Sequence, residues 1–353
     1  MSKAAICVVV PVYKAMATLD RCVESVLAQQ VEGGLTCILV DDGSPDESGA
    51  LCDAWAAKDD RVTVIHQDDL GVSGARNSGL AAADSEFIVF LDSDDALRPG
   101  ALQAALTAQR AAPQDFVVWH YTTDEKDPAA VTANSEPRTQ AGLARLWLDC
   151  LLAMPWNKLY RAGLAKQLQF DVQYTLGEDL QFVLDYIALL GQTVPEFGYR
   201  VMTSPLTFYD CSRGGTLSTR YHANYCDIWP KHFAKLNAAC HAAACPAEDM
   251  RPLHRAELQV FAEGVADIMR RDPSPTQRLK GYKAEAALRS PWLRALLERM
   301  KIEHCYSAYY LPCRWRNVGL VCRVDEARRT NAPLYGKLDW AGYYLLLGRM
   351  RRD

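Results

Sequence analysis

The stretch FIVFLDSDDAL, residues 87–97, runs from five consecutive apolar residues into three carboxylates within four positions. An apolar run of this length, rich in aromatic and β-branched side chains and closed by Asp and Ser, reads as a strand buried on both faces that ends in a turn. Runs of the same kind stand upstream at 6–10 (ICVVV), 36–40 (TCILV) and 62–65 (VTVI). Each leads into apolar residues at helical spacing: Leu19, Cys22, Val23, Val26 and Leu27 after the first, then 48–57 and 72–83, with 100–111 beyond the acidic turn. Strands alternating with helices imply a doubly wound α/β domain, a mainly parallel sheet covered by helices. Ligands of such sheets bind at the carboxyl edge. The residues that follow the four strands are Pro11-Val12-Tyr13, Asp41-Asp42-Gly43-Ser44, His66-Gln67-Asp68-Asp69 and Asp92-Ser93-Asp94-Asp95, and three of these four groups are rich in carboxylates.

Beyond a further apolar run at 116–119 (FVVW), residues 122–139 are polar, hold Pro128 and Pro137, and read as a loop. Helical spacing returns at 141–152 and 178–190, and 199–209 has the residues of a strand. From about residue 222 the chain reads as mainly helical, without an internal repeat. The expected organisation is an α/β domain over residues 1–220 and a mainly helical C-terminal region over 221–353.

With 49% hydrophobic residues the chain can bury a large core, and its net charge of −4 gives no global attraction to nucleic acid, which is not expected as a partner. Twelve cysteines without a CxxC, in a sequence that opens with no charged-then-apolar leader, read as reduced thiols of a cytoplasmic protein. Cys240 and Cys245 flank His241 but lack the second ligand pair of a zinc site. No apolar run approaches the ~18–20 residues that cross a bilayer. Residues 314–353 nonetheless gather nine Lys or Arg against four Asp or Glu, with Trp315, Trp340, Tyr343 and Tyr344 among them. That segment is either a solvated helical face or an attachment to an anionic membrane surface, which would be the cytoplasmic face.

Asp92 and Asp94, one residue apart at a strand end, can point into one small volume if the chain turns there. Mg²⁺ and Mn²⁺ take oxygen ligands, commonly one or two carboxylates together with substrate phosphates. The alternative is that the Asp and Ser residues cap the helix that starts near Pro99. The acidic groups at neighbouring strand ends favour the cation, because crowded like charges need an offset. Asp41 and Asp42 either shape a turn around Gly43 or accept hydrogen bonds from a nucleotide base. Gly71, Gly74 and Gly79 surround Arg76 and Asn77, where glycine allows close backbone approach and Arg offers a fork for phosphate or carboxylate. Glu178 and Asp179 open a helix, where acids suit the helix dipole and where one of them could act as a general base on a hydroxyl.

Taken in order, VVVPVYKAMATLDRCVESVLAQQ (8–30), ILVDDGSPDES (38–48), GVSGARNSGL (71–80) and FIVFLDSDDAL (87–97) closely resemble the N-terminal half of a family 2 glycosyltransferase. The likeness continues more weakly through PWNKLY (155–160) and GEDLQF (177–182) and fades beyond about residue 220. It implies a Rossmann-like GT-A fold and the inverting transfer of a sugar from a nucleoside diphosphate donor, a UDP-sugar in expectation, with Mn²⁺ or Mg²⁺. Carried over by position, Pro11, Val12 and Tyr13 line the nucleotide pocket, Asp42 with Asp41 beside it faces the base, and Arg76 lies near the nucleotide or diphosphate. Asp92 and Asp94 bind the metal, with Ser93 and Asp95 against the donor. Asp179 is the catalytic base, with Glu178 as the alternative. Trp156 shapes the acceptor side, and Lys158 or Arg213 offsets the charge of the leaving diphosphate. Arg213 stands in YDCSRGGTLS (209–218), a segment similar to one that closes over the diphosphate in the family.

Residues 122–139 and 222–353 have no counterpart in the likeness, so the acceptor, a saccharide or lipid-linked saccharide of the cell envelope in expectation, is not read from them. A nucleotidyltransferase would need a glycine-rich basic loop after the first strand, which Pro11-Val12-Tyr13-Lys14 is not. A non-catalytic carbohydrate- or nucleotide-binding protein of the same fold would have no need to keep both Asp94 and Asp179.

Overall fold

Five residues in a row, Ile6 to Val10, have no exposure to solvent. They belong to an interior strand of the sheet, and an unbroken apolar run is what coverage on both faces demands. The computed structural model describes residues 3–174, 176–212 and 220–340, and the chain divides into two compact units, Met1–Gly214 and Gly215–Asp353. In chain order the first unit contains β1 (Ala4–Val12), α1 (Leu19–Leu27), β2 (Leu35–Asp42), α2 (Ser48–Lys58), β3 (Val62–Gln67), α3 (Gly71–Ala82), β4 (Ser85–Phe90), β5 (Ala96–Leu97) and α4 (Ala101–Ala111). It continues with β6 (Phe116–Thr122), β7 (Ser135–Arg138), α5 (Leu143–Leu148), β8 (Lys158–Arg161), α6 (Ala162–Ala165), α7 (Glu178–Thr193) and β9 (Tyr199–Phe208).

The strands form one nine-stranded sheet in the order β3-β2-β1-β4-β8-β6-β9-β5, with β7 added to β9. The first four strands pair in parallel, with registers such as Val9↔Ile38, Val12↔Asp41 and Val9↔Phe90. Beyond them the sheet is mixed rather than mainly parallel: β6 and β9 run parallel, whereas β8, β5 and β7 pair antiparallel to their neighbours. These three strands are two to four residues long and return without a crossover helix. β7 lies inside the expected loop 122–139, and it tolerates Pro137 because it pairs with β9 alone, at the edge. The expected helix 141–152 is shorter, a 3₁₀ turn at Gln140–Gly142 and then α5, and the chain leaves it through Cys150 at φ 56°.

Strand ends also differ from expectation. Pro11 and Val12 are the last residues of β1, and Asp41 and Asp42 the last of β2, rather than loop residues after them. Pro11, which has no N–H, stands where pairing to β4 has already ended at Val9↔Phe90. Helix α3 approaches β1 so closely that a Cβ on Gly79 would lie 2.3 Å from Val9 Cγ1, so glycine there sets the helix-to-sheet distance. The Asn77 amide of the same helix holds the Phe170 backbone from both sides, donating to its carbonyl and accepting from its N–H at 2.8 Å each. Phe170 stacks on Phe182 of α7 with ring centroids 4.0 Å apart, and Phe90 of β4 meets both rings edge-on. Aromatic pairs of this kind add about 0.5–1.5 kcal/mol each beyond area burial, and here they fix the start of α7 against α3 and β4.

The second unit is helical, as the sequence implies: α8 (Tyr225–Ala242), α9 (Ala247–Arg271), α10 (Gln277–Leu288), α11 (Pro291–Ile302), α12 (Tyr310–Arg314) and α13 (Val318–Thr330). Its core gathers Phe261, Val265, Leu296, Met300 and Tyr309, all nearly or fully buried. Among the described residues no helix is long and apolar enough to cross a membrane, and none of the cysteines forms a disulfide.

Candidate functional site

The parallel registers bring the carboxyl ends of β1, β2 and β4 to one edge. There Asp42 Oδ1 accepts hydrogen bonds from Gln67 Nε2 at 2.7 Å and from the Leu70 N–H at 3.0 Å. Asp41 accepts from the Ser44 N–H at 3.2 Å and meets His66 Nδ1 at 3.0 Å, while His66 Nε2 reaches Asp53 at 2.9 Å. Burial works against the charge of Asp41, but its bonds to Ser44 and His66 outweigh it and hold the carboxyl below its ordinary value. His66 is raised in turn, by Asp53 and then Asp41. Gly43 turns at φ 67°, and a Cβ there would lie 3.0 Å from the Asp69 nitrogen. Across from this pair, Lys14 N–H donates to Ser44 Oγ and Ala15 N–H to Ser48 Oγ, so the β1 turn is stitched to the β2 turn. Tyr13 is 45% exposed beside these turns, with Lys14 Nζ 5.0 Å from its ring centroid.

Asp92-Ser93-Asp94-Asp95 is a tight turn closed by the Asp95 N–H on the Asp92 carbonyl at 3.0 Å. It leads into β5, not into a helix, and α4 begins only at Ala101 behind Gly100, so the acidic residues do not cap that helix. Arg76, 3% exposed, bridges this turn to the start of α7: Nη2 donates to Asp92 Oδ1 at 2.8 Å and Nη1 to Asp179 Oδ1 at 2.6 Å. Its guanidinium also lies over the Phe170 ring, 5.4 Å from the centroid. Burial pushes the Asp179 carboxyl up, to about 7, with Glu178 and Asp92 adding to the rise and Arg76 opposing it. The Asp179 side chain remains 29% exposed.

Asp95 is fully buried, with Oδ1 accepting from the Asp210 N–H at 3.0 Å and Oδ2 without a hydrogen-bond partner. Burial, then Asp92, and further Asp94 and Asp210 push its carboxyl up to about 9, against the pull of the Asp210 N–H. An orphaned oxygen amid surplus negative charge, beside oxygen-only donors, suits a hard divalent cation, although the three carboxylates do not bring three oxygens within 4.8 Å of one another. Two residues that the sequence did not single out complete this turn. Arg21 of α1 donates through Nη2 to the Asp94 carbonyl at 2.5 Å and to Asp210 Oδ2 at 2.7 Å, and Arg21 with Ser212 holds Asp210 near 2. On an amphipathic helix Arg21 reads as an ordinary solvated residue, and only the fold brings Asp210 to it.

Trp156 is buried, stacked on Tyr209 with centroids 5.4 Å apart and edge-on to Tyr121 at 5.2 Å. Lys158 corrects an expectation. Its ammonium is fully buried and donates to the Leu151 and Met154 carbonyls and to Asn157 Oδ1 at 2.5–2.7 Å, so its three protons brace the 151–157 loop rather than face a diphosphate. Glu178 is 9% exposed beside Asp179 in the first turn of α7, and Arg213 lies outside the described residues. A cavity of about 520 Å³, bordered by Arg21, Leu97, Arg98, Lys126, Val131 and Phe208, opens beside the acidic turn. In the helical unit His254, Glu303 and Cys305 come within 4.8 Å of one another, but Nδ1 of His254 already meets Glu303 Oε2 at 2.6 Å as a hydrogen bond. Cys240 shares a side-chain hydrogen bond with Cys245.

Residues 7–169 match the family model described as glycosyl transferase family 2. The chain is similar to glycosyltransferase GlyG of Streptococcus pneumoniae serotype 4, 39% identical over 124 residues that cover 35% of this chain and 41% of that protein. It is also similar to the succinoglycan biosynthesis protein ExoO of Rhizobium meliloti, 33% identical over 211 residues, 54% of this chain and 58% of that one. The chain thus spans about half the length of the curated relatives it matches. Among solved structures it is similar to S. aureus TarS 1-349 in complex with UDP-GlcNAc, with a TM-score of 0.61, 17% identity, and 92% of this chain and 91% of that one covered. At that identity the likeness shows the fold alone, which is the α/β GT-A fold.

Proposed function

We propose that this chain, whose residues 7–169 match the glycosyl transferase family 2 model, transfers a sugar from a UDP-sugar to a hydroxyl of a saccharide or lipid-linked saccharide, inverting the anomeric carbon. The observation that carries the reading is the Arg76 bridge, which puts Asp92 of the acidic turn and Asp179 of α7 on one guanidinium at 2.8 and 2.6 Å. A base that takes the proton of the attacking hydroxyl and a turn that attends the leaving group of the same carbon must stand near each other.

In this reading Pro11, Val12, Tyr13, Asp41 and Asp42 hold the nucleotide, with Asp42 kept in place by Gln67 and Leu70. Asp92 and Asp94, with Ser93 and Asp95 beside them, would hold a Mg²⁺ or Mn²⁺ ion, which would supply the charge that offsets the departing diphosphate. Asp179 takes the proton of the acceptor hydroxyl. The oxygen then forms its bond to the anomeric carbon from the face opposite the diphosphate, and the electron pair of the breaking bond leaves with that diphosphate. A carboxyl raised to about 7 suits the task, because a base near the working pH combines sufficient ionisation with sufficient basicity. Arg76 keeps Asp179 from rising further and fixes its rotamer. The cavity beside the turn, with Trp156 and Tyr209 stacked nearby, supports a saccharide-sized acceptor. That a solved protein of this fold is described with UDP-GlcNAc supports a UDP-sugar as donor, and similarity to a succinoglycan biosynthesis protein supports a saccharide acceptor.

Asp179→Asn separates binding from chemistry. Calorimetric binding of UDP with Mn²⁺ should be retained within a few-fold, while UDP release from a donor panel falls by about 10²–10⁴. Turnover at the wild-type rate would remove Asp179 from the role of base.

A further inference from the structure

Two bulky apolar side chains of the helical unit stand in water: Ile302 is 79% and Trp315 62% exposed. Ile302 ends α11, and Trp315 directly follows α12. The two helix ends are fastened together. Arg314 Nη1 donates to Glu298 Oε1 at 3.2 Å, the Tyr310 hydroxyl to the Leu297 carbonyl at 3.3 Å, and the Tyr306 hydroxyl to the Lys301 carbonyl at 3.4 Å. Tyr306 and Tyr310 cross with centroids 4.8 Å apart. The chain leaves both helices through left-handed residues, His304 at φ 54° and Arg316 at φ 53°. Lys301, His304, Arg314 and Arg316 around this junction are exposed, and among the described residues only Arg314 of these has a carboxylate partner within 4.0 Å.

An aqueous surface gains nothing from holding a Trp and an Ile in solvent among unpaired cations. The interface of a bilayer rich in anionic lipid does: Trp settles at the level of the headgroups, an aliphatic side chain enters the acyl boundary, and Lys and Arg meet lipid phosphates. The same character continues along the chain, with Trp340 64% and Leu334 45% exposed, Arg323, Arg329 and Lys337 exposed beside them, and the sequence AGYYLLLGRMRRD following at 341–353. We propose that the helical unit docks on an anionic lipid bilayer through Ile302 and Trp315, with Lys301, Arg314 and Arg316 at the lipid phosphates. Docking stands apart from the donor chemistry, so either reading can fail without the other.

The test is co-sedimentation of the full chain with vesicles of phosphatidylcholine alone and with about one third phosphatidylglycerol. The chain should partition onto the anionic vesicles at low salt and be released as salt shortens the reach of the attraction to about 10 Å at 0.1 M and less above it. Arg316→Glu and Lys301→Glu should each weaken partition about fivefold or more, and Ile302→Ser with Trp315→Ser about tenfold or more. UDP release and the melting temperature should stay at wild-type values in all of these surface variants, which separates lost docking from lost folding. Equal binding to both kinds of vesicle, absence of sedimentation at low salt, or undiminished binding by the folded variants would each overturn the proposal.

Discussion

Replacing Arg76 by Met keeps an unbranched stem and removes the charged guanidinium from between two carboxylates. Each unit-charge pair at about 4 Å is worth roughly 4 kcal/mol at an effective dielectric of 20. Asp92 and Asp179 each keep 29% of their side-chain exposure, so water recovers part of that loss. Removing one partner of a buried pair costs about 3–5 kcal/mol, and the lower end suits these half-open carboxylates. At about 2–4 °C per kcal/mol for a unit of this size, Arg76→Met should melt roughly 6–12 °C below wild type. The same change acts on the base. Asp179 already titrates near 7 with Arg76 pulling it down, and each pKa unit corresponds to about 1.4 kcal/mol. Without the cation its value must rise further. Since the ionised form is the active one, kcat/KM of the wild type should fall tenfold per unit below about 7, and in Arg76→Met this acid limb should move to higher pH. Arg76→Lys should lie between the two, because an ammonium lacks the fork that serves both carboxylates. Thermal melts and a pH profile of UDP release, measured on the three proteins, decide the matter. A melting temperature within about 2 °C of wild type together with an unmoved acid limb would refute the idea that Arg76 couples turn and base.

Burial and the neighbouring aspartates push the Asp95 carboxyl up to about 9, and a cation at the turn would favour its ionised form. Titrating Mn²⁺ and UDP into the protein at pH 7 in buffers of different ionisation enthalpy should therefore report release of about one proton per site, which Asp95→Asn abolishes; the same proton count in that variant would assign the proton elsewhere. Gly79→Ala places a Cβ 2.3 Å from Val9 Cγ1 and 3.2 Å from Val40 Cγ2, so urea unfolding should show a loss of about 1–3 kcal/mol. A stability unchanged by that substitution would contradict the tight seat of α3 on β1.

Most of the first 111 residues could be read directly, because β1, β2 and β4 are apolar runs buried along nearly their whole length and α1 shows a clear helical period. The short returns β5, β7 and β8 could not. Two to four residues carry no period, and they become strands only because β9, β6 and β4 offer them edges. The acidic turn was recognisable as chemistry, but its sequence did not exclude a helix cap; β5 intervening before α4 does. Lys158 misled for a reason visible only in three dimensions, since its apparent availability ends at the carbonyls of Leu151 and Met154. Arg21 and Asp210 are 189 positions apart, and no local pattern links a helix-face arginine to an aspartate just after a strand.

The claim at the centre of this account is that the aspartate turn and Asp179 serve one metal-dependent sugar transfer. Release of UDP from a panel of UDP-sugars, with Mn²⁺ and then with excess EDTA, measures it most directly. The account predicts turnover of at least one donor with Mn²⁺, its loss in EDTA and its return when Mn²⁺ is restored, with Asp94→Ala inactive throughout. UDP release that continues unchanged in EDTA, or that survives in Asp94→Ala, would contradict it.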